Sequence, residues 1–176
     1  EIEFQLTRNE KSKDYDIEIS TLPFEIDSAG KNSTIIDEEI MLAVPADSKY
    51  AQKDSVSLNE ISKESFISLS QFLPLREICD NYCSDVGFLP HIAFECDSPE
   101  ALRNLIAANM GVAFWPAFSW GKPNNDNIIL VNISEPENCK RNLVISKNIK
   151  NENSKVISDL YNYLISEINN IKKATL

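Results

Sequence analysis

Between residues 65 and 116 the hydrophobic pattern switches repeatedly between the strand period and the helix period, and this alternation limits the possible folds more than any other feature. Residues 65–69 (SFISL) are rich in residues that favour strands. Helical spacing follows over 74–86, where Leu75, Ile78, Cys79, Tyr82 and Val86 recur three and four apart. Pro74 suits a first helical turn, and Gly87 stands just past the end. Residues 91–96 (HIAFEC) read as a strand. Ser98-Pro99-Glu100 then opens a second helix with a capping hydroxyl, a proline at the first position and an acid in the first turn. That helix carries Leu102, Leu105 and Ile106 and runs through residue 110 to Gly111. Residues 112–115 (VAFW) form a buried strand stopped by Pro116. Strand, helix, strand, helix, strand in this order predicts parallel strands with right-handed crossovers, an α/β arrangement.

The flanks supply further strands. Residues 2–7 (IEFQLT) and 15–20 (YDIEIS) alternate apolar and polar, and 39–44 (EIMLAV) form an apolar run stopped by Pro45. A short helix or turn fits 57–62, a loop fits 121–127, and strands fit 128–133 and 142–146. The last element is a helix over 154–171, with a stripe of Ile157, Leu160, Tyr161, Leu164, Ile165, Ile168 and Ile171. Polar breaks near 45–60 and 146–153 are candidate lobe boundaries.

Charge and residue counts exclude several functions. Lys and Arg number 17 against 27 Asp and Glu, a net charge of −10, so this segment should bind neither nucleic acid nor an anionic membrane surface. No run approaches the roughly 20 apolar residues of a membrane helix. The opening EIEFQLTRNE lacks the pattern of a signal peptide. Cys79, Cys83, Cys96 and Cys139 form no CxxC and do not cluster with the lone His91, so structural zinc is not expected. Free thiols fit a cytoplasmic protein. No nucleophile elbow, HExxH or glycine-rich phosphate loop is present, and no cofactor or catalytic residue is nominated. His91 reads as a surface histidine at a strand start, and Asp37-Glu38-Glu39 as a solvated charge run.

The middle of the chain resembles the LysR-type transcriptional regulators. EEIMLAVPADSKYAQ (38–52) is similar to that family's crossover strand. FISLSQFLPLREICDNYCSDVGFLPHIAFECDS (66–98) and LRNLIAANMGVAFWPAF (102–118) resemble its strand–helix–"GF-P"–strand–helix–"GVA–lP" series. YDIEIS, RNLVIS and the final helix fit as well. The resemblance implies two Rossmann-like lobes joined by two crossover strands, as in a type 2 periplasmic binding protein. Lobe I would be residues 1–42 plus 148–176 and lobe II 43–147. The family's first strand and helix, and its winged helix-turn-helix, would precede residue 1. It further implies a small-molecule effector, a homodimer or tetramer, DNA contact only through the N-terminal domain, and no enzymatic step. An edge pairing through strand 2–7 is a candidate dimer contact. The alternatives are an extracytoplasmic solute-binding protein of the same fold and a small enzyme built on it.

In open α/β sheets ligands bind at the carboxyl ends of strands, where helix N-termini present unpaired N–H groups. Three such loops lie in lobe II: Ser68 to Phe72 with Ser70 and Gln71, Glu95 to Ser98 with Asp97, and Phe114-Trp115. Lobe I adds Ser20 and Thr21. The plainer readings are that Ser98 is only a helix cap, Ser70 and Gln71 a solvated turn, and Phe114, Trp115 and Trp120 packing residues. Glu95 and Asp97 would repel an anion, which suits a neutral or amine-bearing ligand. Cys83 stands where peroxide-sensing members of the family carry a redox cysteine, but the partner position near Pro74 holds none, and Cys79 is one helical turn away.

Overall fold

In the computed structural model residues 3, 15–22, 33–148, 150 and 153–175 are described. The strand expected at 2–7, with its edge pairing, lies outside them except for Glu3. The longest strand, β2 (Ser33–Pro45), organises the chain. Its first half pairs antiparallel with β8 (Lys140–Lys147), from Ser33 opposite Ser146 to Glu39 opposite Lys140. The far edge of β8 carries β1 (Ile17–Leu22). The second half of β2 pairs with β7 (Ile128–Glu135), from Leu42 opposite Val131 to Pro45 opposite Ile128. Backbone N–H groups of Ile40 and Ala46 donate to Cys139 and Asn127 carbonyls, so β7 and β8 follow the same edge of β2. The opposite edge takes β6 (Ala113–Pro116). Between its two stretches on β2 the chain detours, as β7 turns aside to pair in parallel with the short β3 (Ser55–Ser57).

The alternating segment forms the parallel unit its pattern predicts. Strands β4 (Ser65–Leu69) and β5 (His91–Cys96) pair in parallel, and Phe66 bridges to Val112 just before β6. Helix α1 (Pro74–Asp85) joins β4 to β5, and α2 (Pro99–Ala107) joins β5 to β6. Ser98 caps α2, its Oγ accepting the Ala101 N–H at 3.2 Å. The helix stops three residues before the expected 110, because Asn109 takes the left-handed conformation (φ 58°) and Met110 N–H returns to the Leu105 carbonyl. Gly111 serves a different purpose. At φ 154° it faces the Ser65 carbonyl so closely that a side chain would collide with it. That approach lets Val112 N–H donate to Ser65 at 2.9 Å and Ile67 N–H donate to Val112 at 2.8 Å.

Helix α3 (Lys155–Thr175) packs on β8 through Tyr161. The buried apolar residues fall into two clusters. The larger gathers residues of β2 beyond Ile40 with β4, α1, α2, β6 and β7. The smaller comprises Ile36, Phe118, Leu143, Ile145 and Tyr161. The acidic run in β2 is not the solvated face expected of it. Strand alternation turns Asp37 and Glu39 outward but Glu38 inward, where it is fully buried. Among the described residues no helix is long and apolar enough to cross a membrane.

Candidate functional site

Because β4, β5 and β6 run parallel, their carboxyl ends open on one side, and the loops leading into α1 and α2 meet there. Ser68 lies opposite Glu95 and Leu69 opposite Cys96. Ser70 N–H donates to the Cys96 carbonyl at 3.0 Å, and its hydroxyl lies 3.4 Å from Glu95 Oε1. Gln71, Phe72 and Asp97 are exposed around this junction, Phe72 at 71%. The structure thus brings together Ser68, Ser70, Gln71, Phe72, Glu95, Asp97 and Ser98. Ser20 and Thr21 sit on β1, opposite Val144 and Leu143 of β8, and β1 approaches α1.

The aromatic residues lie beneath the loops. Phe114 is buried and stacks on Phe66 with ring centroids 5.8 Å apart. Trp115 is fully buried; its Nε1 donates to the Gly121 carbonyl at 2.8 Å, and Trp120 meets it edge-on at 5.1 Å. The Arg103 guanidinium lies over the same ring at 5.7 Å. Ser68, Leu69, Arg76, Phe114 and Trp120 are among the residues lining a cavity of about 10 Å³ at the strand ends. That is room for no more than a water molecule.

Two features were missed in the sequence. Arg76, in the first turn of α1, reaches back over the junction. Its Nη1 donates to the Leu69 carbonyl at 3.2 Å and to Glu95 Oε2 at 3.3 Å, while Nε donates to Asp80 at 2.7 Å. The i,i+4 spacing to Asp80 was a readable signal; the contact with Glu95 depends on the β4–β5 register. The second feature is a buried polar cluster. Glu38 Oε1 accepts N–H groups from Phe118, at 3.0 Å, and Ser119. Glu38 Oε2 accepts from the Ser119 hydroxyl at 3.0 Å and Arg141 Nε at 2.7 Å. Arg141 Nη2 also donates to Ser119 Oγ at 2.7 Å. One cluster therefore clamps β2, β8 and the turn after β6, next to Trp120.

The thiols are poorly suited to redox chemistry. All four cysteines are free, and Cys79, Cys83 and Cys139 are buried. Burial pushes the Cys83 and Cys139 thiols up to about 12, raises Cys79 well above its ordinary value, and raises Cys96. The thiolate is the reactive form, and burial disfavours it at Cys83. His91 is exposed at the start of β5. Among the described residues no group of three or more His, Cys, Asp or Glu could hold a metal ion.

The profile of the LysR substrate binding domain family matches residues 3–168. The chain belongs to this family. The transcriptional dual regulator GltC of Bacillus subtilis is 26% identical over 128 residues, covering 73% of this chain and 42% of GltC. A hydrogen peroxide-inducible genes activator of Haemophilus influenzae is 32% identical over 82 residues, 47% of this chain and 27% of that protein. The chain thus spans less than half the length of these LysR relatives. Among solved structures, the effector binding domain of QuiR in complex with shikimate superposes with a TM-score of 0.64 at 18% identity, over 92% of this chain and 74% of that one. The regulatory domain of Synechocystis CcmR in complex with 2-PG gives 0.71 at 18% identity, over 88% and 74%. The fold is that of LysR effector-binding domains, the periplasmic-binding-protein-like α/β class that the sequence implied.

Proposed function

We propose that this chain is the effector-sensing part of a LysR-type regulator and that a small polar metabolite binds over the strand-end loops 68–72 and 95–98. The observation that carries the reading is the meeting of those loops at the carboxyl ends of β4 and β5, where α1 and α2 also begin. The enclosed space there is about 10 Å³, so the ligand lies outside the loops, between lobe II (43–147) and lobe I (1–42 plus 148–176). Two separate apolar clusters on the two halves of β2 support two lobes, with Phe118, Leu143 and Ile145 packing on the side of Ile36 and Tyr161. Ser20 and Thr21 face the ligand from lobe I, Ser68, Ser70, Gln71, Phe72, Glu95, Asp97 and Ser98 from lobe II, and Phe114 and Trp115 support the floor. Arg76 pairs with Asp80 and Glu95, and with Asp97 on the neighbouring loop the carboxylates outnumber it, an excess of negative charge that favours a neutral or amine-bearing ligand.

Effector binding would reposition the lobes within a homodimer or tetramer, and DNA would be bound by a winged helix-turn-helix preceding residue 1. The reading is cytoplasmic, without cofactor, membrane contact or catalysis. Matched relatives named as transcriptional regulators favour it over a solute-binding protein. Thermal shift against a panel of polar amines, neutral polyols and carboxylates tests it. A stabilising compound is expected whose effect falls when Ser70 or Arg76 becomes alanine. Stabilisation that ignores both substitutions refutes the site, and stronger stabilisation by carboxylates refutes the charge preference.

A further inference from the structure

A second, larger cavity lies on the other face of β2, and it shares no lining residue with the strand-end cavity. It exists because the chain leaves β2 between β7 and β8. The detour exposes one face of β2 and leaves a trough of about 470 Å³. This is within the roughly 300–1,000 Å³ of small-molecule sites. Asp37, Glu39 and Met41, the outward-facing residues of β2, form its floor. Asn132 and Asn138 of the detour, Lys140 of β8, Phe118 and Lys172 complete the lining.

The charges of this lining are unequally satisfied. Asp37 is paired with Lys140 at 2.7 Å. The Glu39 carboxylate makes no hydrogen bond or ion pair among the described residues, although Glu39 lies opposite Lys140 in the β2–β8 register. Lys172 donates to the Asp37 carbonyl at 2.7 Å and has no carboxylate partner among the described residues. The lining holds two carboxylates and two ammonium groups, so it matches a ligand of zero net charge. A ligand ammonium would complete Glu39 and a ligand carboxylate would complete Lys172. The amides of Asn132 and Asn138 can serve either group, and Met41, Ile133 and Phe118 offer apolar surface to a side chain.

We propose that this trough is a second small-molecule site, for a zwitterionic amino acid with an apolar side chain, held by Glu39 and Lys172 across the middle of β2. Isothermal titration of the 176-residue chain with L-leucine tests it. Saturable one-site binding is expected, and it should vanish for N-acetyl-L-leucine and for L-leucine methyl ester, each lacking one charge. Glu39→Gln and Lys172→Gln should each weaken binding about tenfold, the size of one charge-assisted hydrogen bond. Amide NMR of the unaltered chain gives a readout that depends on no variant: leucine should shift Asn132, Asn138 and Lys140. Absence of binding at millimolar leucine overturns the proposal, as does binding of either blocked analogue or binding that survives both substitutions. Binding weakened by Glu95→Gln also overturns it, because the amino acid would then occupy the strand-end cleft.

Discussion

Replacing Glu38 by alanine should be among the most damaging single changes in the chain. Its carboxylate has no exposed surface and accepts from four donors: the Phe118 and Ser119 N–H groups, the Ser119 hydroxyl and Arg141 Nε. Truncation leaves the Arg141 guanidinium, whose side chain is 9% exposed, buried without its counter-charge. Removing one partner of such a pair costs about 3–5 kcal/mol. Each backbone N–H orphaned without water adds about 1–3 kcal/mol. Ser119 is exposed, so water can reach its N–H, but Phe118 is buried and its orphaned N–H adds to the pair value. Against a typical stability of about 5–15 kcal/mol, that is a large fraction. Urea unfolding reads it as a lower midpoint with an unchanged slope. The double variant Glu38→Met with Arg141→Met should recover the pair's share of the loss but not that of the Phe118 N–H, since apolar residues of similar size can replace a buried pair. A loss below about 1 kcal/mol for Glu38→Ala would refute the reasoning, because that is the range of exposed ion pairs. A double variant less stable than the single one would do the same.

Three other expectations follow from local geometry. Gly111→Ala should cost about 1–3 kcal/mol, because its Cβ meets the Ser65 carbonyl and its backbone favours glycine; a melting temperature equal to that of the parent chain would contradict this. Ser98→Ala removes the cap on α2 and should cost about 1 kcal/mol in urea unfolding, and a stability unchanged within error would show that the cap is idle. The Cys83 and Cys139 thiols have folded values of about 12, above an ordinary 9.0, so between these limits the unfolded chain holds fewer protons than the folded one. Stability should therefore be intact below pH 9.0 and fall as pH rises towards about 12, by about 1.4 kcal/mol per pH unit for each thiol. Cys83→Ala should flatten that alkaline slope by one thiol's share, and an unchanged difference between variant and parent across this range would disprove the link.

The elements that were legible in the sequence are those whose period and punctuation agree. Strands β4 and β5 end where their patterns end, and α1 stops within a residue of the expected boundary because Gly87, at φ 91°, terminates it. The α2 boundary was misplaced because two residues near its end can both adopt positive φ, and Asn109 takes the capping role ahead of Gly111. Strand β2 was read only over 39–44; Thr34, Ile35 and Ile36 favour a strand, but Asp37 and Glu38 interrupt the apolar run. Pairing with β8 carries the strand through those two acids. The short β3 has too few residues to show a pattern, and its parallel contact with β7 is non-local.

Glu38 shows where a one-dimensional reading fails in physical terms. Three consecutive acids resemble a solvated run when read as composition, but a strand cannot expose three consecutive side chains on one face. Once Asp37 and Glu39 point outward, Glu38 must point inward, and the buried charge then requires a cation from a neighbouring strand. The register places Arg141 directly opposite Glu38, a pairing across 103 residues that no local window contains. The same alternation leaves Glu39 outward over the trough and Glu38 inward beneath the turn that carries Trp120. A single strand thus separates two polar environments, one closed by its own partners and one with charges still to be matched.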